Sequence, residues 1–434
     1  ISKADVPVPT WFAGTAGEAS VAYWKTANDC VAEADSEGVY YQAKDSDAVQ
    51  TDFANSQLPE DAQYGISQVK VTQEEPAAAD IYAFLSTYPR YDNTFAYSNA
   101  LTYRLDYTAA RVEAQQLAKQ GQVQQTLSDG TQILAQADTA IAGHGTVQVG
   151  VIAFSDNSGD GQWDPREYIL YIPEGFEGKE LPILIIYPGN SQTDSIFMDS
   201  TLWWQLAEKE GIALAFVCET YSASPSSVSH ADSDIFYNSL ITILKEQIDG
   251  NYADLDFTRI YGSGQSAGSS ATQGFAITNP EFFASVGSTS AVPSEFTNEA
   301  NEQIPVMLIV GQMDNNDMAD GFTSERLHNW ATYMLGVNGF DPDFSGEKAS
   351  SVADMDSRHP EVYVWSKTID GVDVPLFQFA RCLLRPHNCY PSDLPILWDF
   401  MEHFSFVKGS DGSLTRYYSP SAFANNDAVT ITKG

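Results

Sequence analysis

The stretch that most constrains this chain is FTRIYGSGQSAGSSATQGFAITN, residues 257–279. Phe257 to Gly262 is rich in aromatic and β-branched residues and predicts a short strand. From Ala267 on, the residues are small and predict a helix. Between them lies a G-x-S-x-G, Gly264 to Gly268. A strand that turns straight into a helix leaves no room for side chains beside the turn. Glycine therefore stands two residues to either side of the serine. Such a turn lifts the Ser266 hydroxyl above the sheet as a nucleophile. It also leaves the Ala267 N–H, in the first helical turn, without an intrahelical partner and free to bind an oxyanion.

The surrounding pattern is one of strand and helix in alternation. LPILIIYP, residues 181–188, is a continuous apolar run of strand length, as expected for a strand covered on both faces. It ends in Pro188-Gly189-Asn190-Ser191-Gln192, where the backbone N–H groups of Asn190 and Ser191 are candidate second oxyanion donors. A helix is expected over 202–210, a strand over 213–219 and a helix over 235–248. This spacing predicts βαβ units and a mostly parallel sheet with helices on both faces, an α/β fold. Trp203 and Trp204 on the first of these helices, and Gln265 beside the serine, are candidates to line a substrate cleft. Aromatic residues on such a helix equally read as core.

PVMLIV, residues 305–310, predicts a late strand, and it runs into Gly311-Gln312-Met313-Asp314. An acid just past that strand is placed to orient a histidine. Asp314 is the first choice and Asp317 the fallback. His387 lies between the last expected strand and a helix beginning at Leu394, where a general base belongs. Of the other five histidines, His328 and His403 fall in expected helices, His144 precedes the catalytic region, and His230 and His359 sit in polar loops. Cys382 and Cys389 bracket His387 and read either as a local disulfide or as two buried thiols.

Residues 1–145 do not read as the start of this sheet. Short strand-like pieces (38–43, 66–72) mix with helical ones (78–87, 109–120), and 120–138 reads as a linker or a solvated helix. This third of the chain is expected to be an accessory mixed α+β region, with the catalytic domain over 146–434. Between two expected strands runs Asp156-Asn157-Ser158-Gly159-Asp160-Gly161-Gln162-Trp163-Asp164-Pro165-Arg166-Glu167. Oxygen side chains at Asp156, Ser158, Asp160, Gln162 (seventh, through its carbonyl), Asp164 and Glu167, with Gly161 at the sharp turn, fit a twelve-position calcium loop. The same segment reads as an acidic hairpin loop rich in turn formers. A calcium held there would be structural.

Composition narrows the partners. With 58 acidic against 22 basic residues the formal charge is −36, which argues against nucleic acid and anionic membranes. No apolar run approaches the roughly 18 residues that span a bilayer. The first residue, Ile1, is compatible with signal-peptide removal and also with a trimmed chain; a secreted or cell-surface location is expected.

These pieces, taken together, resemble a family. REYILYIPEGF, LPILIIYPGN, LDFTRIYGSGQSAGS, FFASVGSTSA, VMLIVGQMD and the histidine loop before LPILWDFMEHFS are similar to the secreted α/β-hydrolase esterases of the polyhydroxybutyrate depolymerase, feruloyl esterase and acetylxylan esterase group. The resemblance covers 146 to about 405. It implies an α/β-hydrolase fold, Ser266 as nucleophile, Asp314 as orienter, His387 as base, no required cofactor, and an ester of polyester, plant polysaccharide or a small molecule as substrate. Two positions depart from the family pattern: Pro188-Gly189 replaces the usual His-Gly, and Arg385-Pro386 replaces the glycines before the histidine. A serine peptidase on the same fold and an inactive hydrolase-like binding protein are the rival readings.

Overall fold

The structure, a computed structural model, describes residues 8–15, 17–41, 68–87, 105–153, 165–190, 192–217, 233–294, 302–315, 318, 321–355, 359 and 361–431. The chain divides into two compact units, 1–102 and 103–434. The division therefore falls some forty residues before the boundary expected at 145.

In the first unit, β1 (Thr10–Ala13) runs parallel to β3 (Val69–Thr72), and β2 (Val39–Tyr40) is antiparallel to β3. Two helices accompany them, α1 (Glu18–Ala27) and α2 (Ala78–Thr87). Asn28 is fully buried and joins the segments, its amide bonding the Val8 backbone on both sides at 2.8 and 2.7 Å.

The second unit begins with α3 (Thr108–Ala118), which buries Ala110, Ala114 and Ala118 along one face. A twelve-stranded sheet follows. Its strands are β4 (Gln125–Thr126), β5 (Gln132–Ile141), β6 (Gly145–Ala153), β7 (Pro165–Pro173), β8 (Glu180–Tyr187), β9 (Ala213–Val217), β10 (Asp254–Gln265), β11 (Ser285–Thr289), β12 (Val306–Met313), β13 (Ser351–Ala353), β14 (Glu361–Ile369) and β15 (Val372–Pro386). Across the sheet they lie in the order β4-β5-β6-β7-β9-β8-β10-β11-β12-β15-β14-β13. From β9 to β15 every pairing is parallel, while both flanks are antiparallel meanders. Both edges end in very short strands, which limits exposed pairing groups. The polar stretch 120–138, expected as linker or helix, instead supplies β4 and most of β5. Of its glutamines, Gln125 is exposed on β4 at the sheet edge, and Gln132 and Gln136 are half-buried on β5.

The helices of this unit are α4 (Asp194–Thr201), α5 (Trp203–Glu210), α6 (Ser233–Ile243), α7 (Ala267–Thr278), α8 (Glu325–Val337) and α9 (Leu394–Met401). They cover both faces. Gly262 of β10 pairs with Val286 and Ser263 with Gly287, so Gly262 and Gly287 point to opposite sides. A Cβ on Gly262 would meet Thr272 of α7 at 2.7 Å, and one on Gly287 would meet Met401 of α9 at 3.0 Å. The chain closes with a small antiparallel sheet of β16 (Phe404–Lys408), β17 (Leu414–Tyr418) and β18 (Val429–Ile431). None of the described helices is long and apolar enough to cross a membrane.

Candidate active site

Three strand ends build the site. β10 ends at Gln265, and Ser266 turns the chain into α7 with φ 56° and ψ −122°. A non-glycine residue at positive φ is strained, and such strain persists only where the surroundings over-determine it. Here they do. A Cβ on Gly264 would lie 2.5 Å from the Gly268 carbonyl carbon, and one on Gly268 would lie 2.1 Å from the Tyr187 carbonyl oxygen. Both glycines are thus required by backbone running against backbone. The Ser266 N–H donates to the Thr289 carbonyl at the end of β11, 3.1 Å away.

β12 delivers Asp314 and β15 delivers His387. His387 Nδ1 lies 2.5 Å from Asp314 Oδ1, and His387 Nε2 lies 2.7 Å from Ser266 Oγ. The Asp314 side chain is fully buried while that of His387 is 27% exposed, so the imidazole meets solvent and the carboxylate does not. The Asn315 N–H also donates to Asp314 Oδ1 at 2.7 Å. Asp314 Oδ2 is buried with no hydrogen-bond partner among the described residues, which concentrates the carboxylate on Asn315 and His387. Asp317, the fallback acid, lies outside the described residues.

The loop after β8 closes the opposite side. Asn190 is exposed there, and Ser191 lies outside the described residues. The Gly189 N–H is spent on Gln192 Oε1 at 2.9 Å. Gln265 is only 5% exposed and does not line an open cleft. Its amide is laid against this loop: a Cβ on Gly189 would meet Gln265 Oε1 at 2.2 Å. Trp203 and Trp204 are likewise buried and are corrected from cleft to core. Trp204 meets His144 edge-on at 5.5 Å, at the end of the sheet where β7 finishes, opposite the triad.

The expected calcium set loses Glu167. It is fully buried on β7, and its two oxygens accept from Arg111 Nε at 2.9 Å and Gln115 Nε2 at 3.1 Å on α3. A cationic guanidinium already balances this carboxylate. Asp156, Ser158, Asp160, Gln162 and Asp164 lie outside the described residues. Among the described residues, Asp399, Glu402 and His403 at the end of α9 form one group with metal-ligand spacing; it contains no triad residue.

A brace behind His387 escaped the sequence reading. Arg385 turns inward and grips Asp393 with both terminal nitrogens, Nη1 to Oδ1 at 2.7 Å and Nη2 to Oδ2 at 2.5 Å. Its Nη2 also donates to the Asn388 carbonyl at 2.6 Å, which Ser290 Oγ holds from the other side at 2.8 Å. Asn388, the residue after His387, is thereby pinned by two donors. His359, expected in a polar loop, is fully buried with Nε2 2.7 Å from Asp393 Oδ1. Cys382 and Cys389 are free thiols, and Cys382 Sγ accepts from Arg385 Nη1 at 3.4 Å. The loop is held by this ion pair, with no disulfide. The one local signal was Arg385 itself, a charge where the resembled family has glycine.

Burial opposes the positive charge of His359, but its bonds to Asp393 and Cys382 outweigh that and hold its pKa up at about 10. In the unfolded chain the group titrates near its ordinary value of about 6.5. The His359 contribution to stability is therefore full below about pH 6.5 and is lost as pH rises through about 10. The urea-unfolding difference between wild type and His359→Gln is expected to shrink over that window. Asp393→Ala strands a buried guanidinium and should cost about 3–5 kcal/mol at pH 7. A loss under about 1 kcal/mol would show that Arg385 and His359 find other partners.

No protein-family model and no curated protein matches this chain. Among solved structures it is similar to an acetyl xylan esterase from Aspergillus awamori, at 14% identity and TM-score 0.40, over 58% of this chain and 98% of that one. It is similar to a glucuronoyl esterase from Solibacter usitatus at 11% identity and TM-score 0.41, over 63% and 85%. It is also similar to the feruloyl esterase module from Clostridium thermocellum at 10% identity and TM-score 0.37, over 60% and 88%. The hydrogen-bonded triad is a property of this chain's own residues, independent of those likenesses.

Proposed function

We propose that this protein is a serine hydrolase of carboxylic esters, working through an acyl-enzyme. The observation that carries this is the continuous hydrogen-bonded chain from Asp314 through His387 to Ser266, with the serine on a strained turn. His387 Nε2 takes the proton as Ser266 Oγ attacks the ester carbonyl. Asp314 holds the proton on Nδ1 and balances the imidazolium. The Ala267 N–H, in the first turn of α7, and the Asn190 N–H on the facing loop are the donors for the tetrahedral oxyanion. His387 then returns the proton to the leaving alcohol. Water repeats the sequence and releases the acid, leaving Ser266 restored. Every proton moved has a group here to carry it, and no resident metal or cofactor enters a step. The substrate class carried by the resemblance, an ester of polyester, of plant polysaccharide or of a small molecule, is the range in which to search.

The test is covalent. A fluorophosphonate probe should add to Ser266 alone, read by peptide mass spectrometry, and should abolish p-nitrophenyl acetate hydrolysis in step with labelling. An adduct elsewhere, or hydrolysis that survives full labelling, would overturn the assignment.

A further inference from the structure

The strand that carries His387 is deformed just before it. Gly311 of β12 pairs with Cys382 of β15, and the next pair is Met313 with Pro386. One residue of β12, Gln312, thus faces three of β15: Leu383, Leu384 and Arg385. Arg385 goes inward to Asp393. The two leucines go outward, with Leu383 47% and Leu384 78% exposed. Leu384 stands at φ 55°, where a glycine would sit without strain. The bulge is secured by the Leu384 N–H, which donates to Gln312 Oε1 at 3.1 Å. On the facing strand end Met313, adjacent to Asp314, is 62% exposed.

Stability explains none of this. A leucine at positive φ costs conformational energy, and an apolar side chain held in water regains nothing by burial. A bulge of this kind beside an active site re-aims side chains. Met313 immediately precedes Asp314, and Leu383 and Leu384 lie four and three residues before His387, so the question is which part of a substrate meets them.

The proton path answers it. In the first half-reaction His387 Nε2 gives its proton to the leaving oxygen, so the alcohol part of the ester must lie on the His387 side of Ser266. The oxyanion lies on the other side, toward Ala267. We infer that Met313, Leu383 and Leu384 form an apolar lip that receives the alcohol portion of the ester, and that the preferred substrates are esters of apolar alkyl or aryl alcohols. The net charge of −36 disfavours anionic leaving groups at the same place. This inference rests on the serine-hydrolase reading and adds the leaving-group specificity to it.

The experiment compares two ester series, in wild type and in Leu384→Gly. One varies the alcohol (methyl, butyl and hexyl acetate) and the other varies the acid (methyl acetate, butyrate and hexanoate). Leu384→Gly should melt no lower than wild type, because it removes the strain. Its hexyl-to-methyl ratio of kcat/KM in the alcohol series should fall about tenfold, the scale of losing one apolar contact, while the acyl series keeps its wild-type shape. An unchanged alcohol ratio, or a change confined to the acyl series, overturns the inference and leaves the triad standing. If wild type hydrolyses no ester in either series, the serine-hydrolase reading fails and this inference with it. If sedimentation shows a dimer that Leu384→Gly dissolves while the alcohol ratio is unmoved, the lip is an interface between two copies and the inference is overturned.

Discussion

Exchanging Ser266 for alanine is expected to lower kcat toward p-nitrophenyl acetate by about 10⁶, leaving only what the oxyanion donors and binding provide. The size follows from what the hydroxyl does. Without Oγ no acyl-enzyme forms, and the hydrogen bond that the Ser266 hydroxyl donates to His387 Nε2, 2.7 Å long, is lost. The fold should be unharmed or slightly relieved, because the strain at φ 56° belongs to the backbone turn and alanine adds no atoms. Melting temperature and far-ultraviolet circular dichroism should therefore match wild type. A variant that folds normally and still retains a tenth of the activity would remove Ser266 from the mechanism.

Exchanging Asp314 for asparagine should lower kcat by about 10⁴ with KM little changed, a smaller loss by a different route. The side chain is fully buried and 2.5 Å from His387 Nδ1, so the amide must occupy the same place. The Asn315 N–H and His387 Nδ1 both meet Oδ1, so the amide oxygen stays there and still accepts from Nδ1. The amide nitrogen takes the place of Oδ2, which is buried with no partner among the described residues. The imidazole keeps its orientation, but a neutral amide no longer balances the imidazolium that forms as Ser266 attacks. A loss under tenfold would assign the orienting role to another acid.

The grouping of Ser266, Asp314 and His387 was legible because each sits beside a local signal. Ser266 is announced by glycines that must be absent of side chains for backbone reasons, and Asp314 and His387 follow apolar strands that end abruptly. What was illegible had no such neighbour. Arg385, Asp393 and His359 meet through a contact between residues 34 apart, and no spacing rule joins a histidine in a polar segment to a carboxylate at a helix start. Trp203 and Trp204 carry the composition of a cleft, but which face of α5 is covered depends on strands on either side of it. The stretch 120–138 looked solvated because it is low in apolar residues. Its strand character comes from pairing with β6, which no local pattern announces.

The triad also says something about time. Its hydrogen bonds join residues 121 and 73 positions apart, and the central strands β8 and β10 pair Ile186 with Ser263. The flanks are different: β14 and β15 are joined by a tight turn at Asp370-Gly371 and need little chain closure. Long closures cost more entropy before their contacts repay it, so parallel pairing at the centre forms slowly. A refolding chain can therefore hold much of its strand content while Ser266, Asp314 and His387 are still strangers. Under the proposed function, turnover would mark the completion of the fold, arriving after spectroscopic signals that the outer hairpins alone can produce.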